Sequence, residues 1–219
     1  MSDTRTRLLD GALETLRTKG IAGVSARTIA AAAGVNQALV FYHFGSVDEL
    51  LAAACTYGAQ QRLALHASRL DAVRSLSGLL AVGLELHQQE RADGNVIVLA
   101  QMLAGAKSEP RLAPATGQAL ELWIGAIETV LRRVLAGSPL AEILDAGGLA
   151  RSIASAFIGF ELYEGVDPAG ADQAMAAIAQ LGVLVDAIED LGPAGRRVVR
   201  TRLRRSAANE SRRRPANHD

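Results

Sequence analysis

The sequence contains a single cysteine, few aromatic residues and no long uninterrupted apolar run. Because Cys55 stands alone, an internal disulfide and a cysteine-based metal cluster are excluded. No segment reaches the roughly 18 consecutive apolar residues of a membrane-spanning helix. The opening segment, MSDTRTRLLD, lacks the apolar core of a secretory signal peptide. We therefore expect a soluble, cytoplasmic protein with no membrane partner.

Alternating Val/Ile/Thr segments bounded by turn residues, the pattern typical of β-strands, are also missing. Hydrophobic residues make up 49% of the 219 residues and aromatic residues only 4%, and alanine and leucine supply most of the apolar content. Both of these residues favour helices. The sequence therefore predicts an all-α fold in a chain long enough to bury a sizeable core.

The net charge is zero, but the charged residues are unevenly distributed. Residues 1–50 carry five basic and five acidic side chains, and residues 51–191 carry nine basic and sixteen acidic ones. Residues 192–219 carry nine arginines and only two acidic residues. The middle of the chain should repel nucleic acid, whereas the tail either attracts it or serves as a flexible solubilising segment. Total charge alone therefore does not decide whether nucleic acid is a partner.

Short helices separated by glycines are predicted at the beginning of the chain. Apolar residues recur at helical spacing over residues 4–19, and two shorter helices follow at 26–33 and 37–44. A fourth begins after Ser46, with Glu49 completing a capping-box pattern. The other predicted N-caps and terminating glycines are Ser25, Asn36, Gly20, Gly34 and Gly45.

The two helices of about eight residues are too short to be stable alone and need the flanking helices behind them. This arrangement suits a helix-turn-helix, in which the second short helix enters the major groove of DNA. An ordinary helical hairpin inside a bundle has the same spacing, so the pattern alone leaves both interpretations open. Beyond residue 46, the spacing of turn-forming residues predicts helices at 46–70, 75–92, 94–107, 110–136, 148–165 and 170–191.

Residues 24–54, VSARTIAAAAGVNQALVFYHFGSVDELLAAA, closely resemble the DNA-binding domain of the tetracycline-repressor (TetR) family of transcriptional regulators. The resemblance lies in a helix rich in small residues, the Gly34-Val35 turn, the aromatic cluster at 41–44 and the capped start of the fourth helix. It implies a DNA-binding domain at 4–64 with the helix-turn-helix at 25–44. A larger helical ligand-binding and dimerisation domain at 65–191 and a flexible arginine-rich tail at 192–219 complete the expected organisation.

The resemblance also implies a function. Family members usually bind palindromic operators as dimers and are released when a small molecule binds the helical domain. We therefore expect a homodimeric repressor whose partners are double-stranded operator DNA, an unidentified small-molecule effector and a second copy of itself. No enzymatic activity, cofactor or metal ion is expected.

Two residues of the second helix and two of the third are candidates for reading or holding DNA. Arg27 matches a family position that contacts bases or phosphate, and an arginine can bond guanine bidentately. Thr28 beside it is a candidate phosphate donor. Gln37 can pair with adenine, and Asn36 either contacts DNA or serves only as an N-cap.

Further candidates follow along the third helix. Ala38 and Leu39 are expected to contact thymine methyl groups, and Tyr42 and His43 to donate to phosphates. Phe41 stands where many relatives carry a tyrosine, which removes a hydroxyl from the interface. Val47, where many relatives carry a lysine, removes a phosphate contact and should flatten the salt dependence of binding. Arg5 and Arg7 of the first helix are further candidates for contacts to the DNA backbone.

Two further sets of residues are candidates in the larger domain. Polar and aromatic residues within otherwise apolar helices suit a mostly apolar ligand cavity, each with plain core or surface packing as the alternative. The ligand candidates are Tyr57, Gln61, His87, Gln101, Met102, Trp123, Phe157 and Glu161. Apolar stripes on the last two helices are candidates for the dimer interface, with burial inside one subunit as the alternative. They are Phe157, Ile158, Leu162, Ile178, Leu181, Val185 and Ile188.

Other functions find less support. The four histidines have no metal-binding spacing, and no glycine-rich phosphate loop follows a strand, which disfavours an enzyme. Cys55 is either a redox-sensing thiol or, as its alanine-rich helix favours, a buried and inert one. A helical protein that binds a ligand or protein without DNA is a third possibility, supported only by the weak local positive charge.

Overall fold

The computed structural model describes residues 4–202 except 109, 137, 193 and 196. No strand occurs within this part of the chain, so the predicted all-α fold is confirmed. The helices are α1 (Thr4–Lys19), α2 (Ala26–Ala33), α3 (Ala38–Phe44), α4 (Val47–Ala72), α5 (Leu76–Ala92), α6 (Asn95–Ser108), α7 (Ala113–Leu135), α8 (Ala146–Glu164) and α9 (Pro168–Glu189). Residues 197–202 of the predicted arginine-rich tail are helical, and residues 203–219 lie outside the described residues.

The N-terminal helices share one core with part of the larger domain. Leu8, Leu16, Ile29, Val40 and Leu50 are fully buried at its centre. Further along the chain, residues of α6, of the short turn after it and of α7 complete this cluster, and they are Met102, Leu112 and Ala119. The N-terminal helical unit therefore packs directly against the rest of the protein.

Helices α1 and α2 touch at their backbones. A methyl group on Gly11 of α1 would lie 2.9 Å from both the backbone nitrogen of Ala33 and the carbonyl oxygen of Ile29. Only glycine allows this approach, because neither backbone atom belongs to a side chain that can move aside. The close contact fixes the orientation of the first short helix.

Local capping signals set the helix ends as the sequence predicts. The Ser25 hydroxyl accepts a hydrogen bond from the Thr28 backbone, and the Thr28 hydroxyl accepts one from the Ser25 backbone, closing a capping box. Gly34 ends α2 in the left-handed conformation with φ of 62°. The Ser46 hydroxyl accepts a hydrogen bond from the Glu49 backbone and starts α4.

A second core lies among α4, α7 and α8, with Leu70, Leu131, Leu135 and Ala150 buried within it. Helix α4 joins the two cores, since its first turns bury Leu50 in one and its last turn buries Leu70 in the other. The domain boundary expected at residue 64 therefore falls inside one continuous helix.

Helix α9 is unusually apolar and unusually exposed. In the described part of the chain it is the one unbroken helix long and apolar enough to cross a membrane, with a mean hydropathy of 1.3 over its most apolar window. Polar residues, among them Asp172 and Asp186, interrupt it, which agrees with the absence of an uninterrupted apolar run. Of its described residues only Ala171 and Gly182 are buried, against α5 and α8.

Candidate nucleic-acid interface and effector cavity

Helix α3 presents one face to the core and the other to solvent. Val40 and Phe44 are buried, whereas Tyr42 is 81% exposed and Phe41 49% exposed. The candidates at its start, Gln37 and Ala38, are also exposed. Leu39, Val47 and His43 are half-buried, and the ring of His43 meets that of Tyr42 edge to face. The helix therefore carries an exposed set of amide, aromatic and small side chains on a fixed base.

Three candidates at the helix starts differ in whether their polar groups already take part in hydrogen bonds within the protein. Arg27 is exposed in the first turn of α2. The Thr28 hydroxyl, by contrast, donates to the Gly23 carbonyl at 2.9 Å and so already uses its proton in the cap. Asn36 accepts a hydrogen bond from the Ala38 backbone through Oδ1 at 2.8 Å, which agrees with its alternative interpretation as a capping residue. The α3 helix consequently starts at Ala38, one residue later than predicted.

The two arginines of α1 that are expected at the DNA backbone make contacts within the protein. Arg7 donates from Nη2 to the carbonyl oxygens of Ala33 and Gly34, both at 2.6 Å, and thereby caps the end of α2. The Arg5 guanidinium stacks 4.7 Å from the ring centre of Phe44. Neither role has a local signal in the sequence, because each partner lies more than twenty residues away.

A cavity of about 840 Å³ lies behind this unit. Its walls come mainly from α1, α4, α5, α7 and α8, and it also reaches α2, α6 and α9. Four of the predicted ligand residues line it, namely Tyr57, Gln61, Trp123 and Phe157. Such a volume is within the usual range for small-molecule sites.

The other four ligand candidates do not line this cavity. Met102 is fully buried in the first core. Gln101 accepts a hydrogen bond from the Ile21 backbone at 3.2 Å and so joins α6 to the turn after α1. His87 Nδ1 lies 2.7 Å from Glu161 Oε1, so these two side chains face each other between α5 and α8. Polar residues in apolar helices thus include residues that pair internally.

A partly buried charged cluster at the cavity wall was missed from the sequence. Arg62 of α4 donates to both oxygens of Glu90 on α5 at 2.6–3.0 Å and to Asp93 at 2.7 Å. Nε2 of the fully buried His66 lies 2.7 Å from Glu90 Oε1. Burial lowers the pKa of Arg62, but its hydrogen bonds to Glu90 and Asp93 outweigh this and raise it above the ordinary value. The i,i+4 spacing of Arg62 and His66 is the only signal the sequence offered.

Some dimer candidates are exposed, whereas others are half-buried and line the cavity or pack inside the subunit. Leu162 and Leu181 are more than half exposed. Phe157, Ile158 and Ile178 instead line the cavity, Ile188 packs against the second core, and Val185 is half-buried. The sequence interpretation missed three exposed apolar residues on this side, Tyr163, Val166 and Val183.

Two further observations concern the reactivity of Cys55 and metal binding. Burial raises the pKa of the Cys55 thiol to about 12, which suits an inert residue better than a redox sensor. Within the described ranges, no group of three or more His, Cys, Asp or Glu side chains is arranged to hold a metal ion.

An exposed recognition helix on a compact helical unit, joined to a larger helical domain with a cavity, defines a helix-turn-helix DNA-binding protein. Residues 8–54 match the family described as "Bacterial regulatory proteins, tetR family". A sequence search of curated proteins finds no match. The N-terminal part of the chain is thus similar to that of TetR-family transcriptional regulators.

Solved structures share the whole fold. A TetR-family transcriptional regulator from Rhodococcus sp. superposes with a TM-score of 0.72 at 22% identity, covering 84% of this chain and 99% of that one. The transcriptional regulator SCO7518 from Streptomyces coelicolor A3(2) gives 0.63 at 22% identity, covering 82% and 98%. The regulator FadR from Bacillus subtilis, in complex with stearoyl-CoA, gives 0.67 at 16% identity, covering 81% and 97%.

Proposed function

We propose that this protein is a homodimeric, cytoplasmic repressor that binds a palindromic operator and is released when a small molecule occupies its helical domain. The observation that carries the proposal is the exposed face of α3, where Gln37, Ala38 and Tyr42 stand over the buried Val40 and Phe44. A major groove admits one helix, so this face is available to base edges while the core holds it in place.

The roles of individual residues follow from their exposure. Arg27 and Gln37 read bases, and Ala38 with the half-buried Leu39 contacts thymine methyl groups. Tyr42 and His43 hold phosphates. Thr28 and Asn36 act mainly through helix caps that orient these side chains.

The exposed apolar surface of α8, α9 and the turn between them is proposed to pack against a second copy of the chain. Its members include Leu162, Val166, Leu181, Val183 and Leu184, each more than half exposed. Burying such a surface is favourable, and a two-fold axis through it presents two α3 helices to two half-sites of a palindrome.

The cavity supports an effector role because its walls combine α4, which begins beside α3, with α8 and α9 of the proposed interface. A bound molecule can therefore favour one spacing of the two recognition helices over another. Coupling of this kind is reciprocal: the effector weakens operator binding by the factor by which the operator weakens effector binding. The stearoyl-CoA complex of the FadR neighbour supports a ligand in a domain of this fold.

Selection of genomic DNA fragments by the purified protein tests the proposal. We expect enrichment of an inverted repeat with half-sites about one helical turn, 34–36 Å, apart. The double variant Arg27→Ala/Gln37→Ala should bind it at least about 100-fold more weakly. The matched control Arg132→Ala/Gln88→Ala, which removes the same residue types from exposed positions on α7 and α5, should bind normally. Failure to enrich any site would contradict operator binding.

Sedimentation equilibrium tests the dimer separately. Leu181→Glu should shift the protein towards monomer, because it places a charge in the proposed interface. Ile97→Glu on α6 is the control, since Ile97 is 51% exposed and Leu181 57%. A monomeric wild-type protein, or equal effects of the two variants, would contradict the α8–α9 interface.

A further inference from the structure

We propose that the cavity takes an uncharged, largely apolar molecule whose polar end hydrogen-bonds to Tyr57 and Gln61. This inference rests on the proposed effector role of the cavity and adds the chemical class of its occupant. It combines three features of the walls: their apolar character, the internal pairing of their charges, and two polar side chains on one face of α4.

Apolar side chains dominate the part of the cavity between α5, α7 and α8. They include Leu79, Leu120, Ile127, Leu131, Ile153 and Phe157. An apolar molecule in contact with them leaves water without losing hydrogen bonds. The body of the ligand is therefore hydrocarbon-like.

The charged groups that α4 and α5 contribute to the cavity wall are already paired. Arg62 and Glu90 pair with each other through two-point hydrogen bonds, and Asp93 and His66 complete the cluster. A carboxylate brought against Arg62 would also meet Glu90 and Asp93, and an ammonium group brought against Glu90 would meet Arg62. Either ion would lose hydration without a free partner to replace it.

The charges at the α1 end of the cavity offer no better site for an ion. Arg17 pairs with Glu14, and Arg7 is bonded to the carbonyls of Ala33 and Gly34. Asp10, the remaining acidic residue there, is exposed to solvent, which screens its charge. A charged ligand thus gains little at either end.

Two polar groups of α4 remain for the ligand. Tyr57 and Gln61 are one helical turn apart and so share a face. Within the part of the chain that the structure describes, neither side chain has a hydrogen-bond partner. Gln61 is exposed and Tyr57 half-buried, which places this end of the cavity next to solvent. A phenol and an amide both donate and accept hydrogen bonds, which suits a hydroxyl, carbonyl or amide group.

Competition for the fluorescent neutral dye Nile red tests the chemical class. The competitors are dodecan-1-ol, dodecanoate and dodecylammonium, which share one alkyl chain and differ in charge at neutral pH. We expect the alcohol to displace the dye at a concentration at least about tenfold lower than either ion. Equal or stronger displacement by either ion, or no binding of dye and alcohol, would overturn the proposal.

Two glycine variants locate the binding. Gly83 lines the cavity and a Cβ atom there would meet nothing within 4 Å, so Gly83→Leu is expected to extend a side chain into open space. Gly125→Leu on α7 is the matched control, equally open but not part of the wall. Dye and alcohol affinity should fall at least about tenfold in the first variant only. If both variants bind alike while remaining folded by circular dichroism, the dye binds elsewhere and the proposal fails.

The polar end is tested with Tyr57→Phe/Gln61→Leu. This variant should still bind Nile red but lose the preference for dodecan-1-ol over dodecane. A retained preference would contradict the role of these two residues. Operator binding is measured in parallel, so that loss of the ligand class with operator binding intact contradicts this inference alone, and absence of an operator contradicts the proposed function.

Discussion

Arg7 provides the sharpest test of whether a cation near the DNA-binding unit is structural or contacts DNA. Its guanidinium donates to Ala33 and Gly34 at 2.6 Å, at the end of the helix that carries Arg27. Arg7→Met keeps the apolar stem and removes both hydrogen bonds. A hydrogen bond to a charged group contributes about 1.5–3 kcal/mol, and exposure at the Gly34 side reduces this. We expect the free energy of unfolding to fall by about 1–2 kcal/mol.

Urea denaturation measures this change, with the midpoint falling and the slope unchanged. Arg27→Met is the control and should change the unfolding free energy by less than about 0.5 kcal/mol. The two variants should behave oppositely on DNA. Arg27→Met weakens operator binding, whereas Arg7→Met leaves the slope of log affinity against log salt unchanged. A slope reduced by about 0.9 per subunit in Arg7→Met, with normal stability, would refute the capping role.

Three further outcomes follow from the packing and the pKa shifts. Gly11→Ala should lower the unfolding free energy by about 1–3 kcal/mol in urea denaturation, because its methyl group meets the backbone of α2; an unchanged midpoint would contradict that contact. Glu90→Leu should lower the unfolding free energy by about 2–4 kcal/mol, because Arg62 and His66 lose the Glu90 carboxylate. The control Glu85→Leu, at an exposed position of the same helix, should lower it less. Burial raises the pKa of Cys55 to about 12, so the unfolded chain releases this proton first. Stability should therefore fall by up to about 1.4 kcal/mol per pH unit above roughly pH 8.5, and Cys55→Ala should abolish this contribution.

Sequence reasoning succeeded where the determining contacts are local. Ser25 and Gly34 define the ends of α2 through groups within a few residues, so their roles are readable from residue type and spacing. The apolar periodicity of α1 likewise gave both its bounds and its buried face. The family resemblance then predicts that the exposed helix is the one that meets DNA.

The partners of polar side chains were not predictable in the same way, because they depend on how distant helices pack. Gln101 meets a backbone group eighty residues earlier in the chain. Arg62 of α4 donates to Glu90 of α5, and nothing in the sequence indicates that these two positions lie side by side. A polar residue in an apolar helix can face a ligand cavity or pair with another residue. Only the packing shows that Tyr57 lines the cavity whereas Glu161 faces His87. The same limit placed Phe157 in two predicted sites, and in the structure this residue lines the cavity.

Helix α4 has a mechanical consequence. Its 26 residues form a rod about 39 Å long that starts just after α3 and ends at Ala72; in its last turn the Leu70 carbonyl accepts a hydrogen bond from Arg133 of α7. A tilt of about 5° at one end displaces the other by roughly 3 Å, as far as the length of a hydrogen bond. The orientation of α3, at the start of this rod, therefore depends on the contacts that hold its far end. Substitutions around Leu70 should affect operator selectivity as strongly as many changes at the DNA itself.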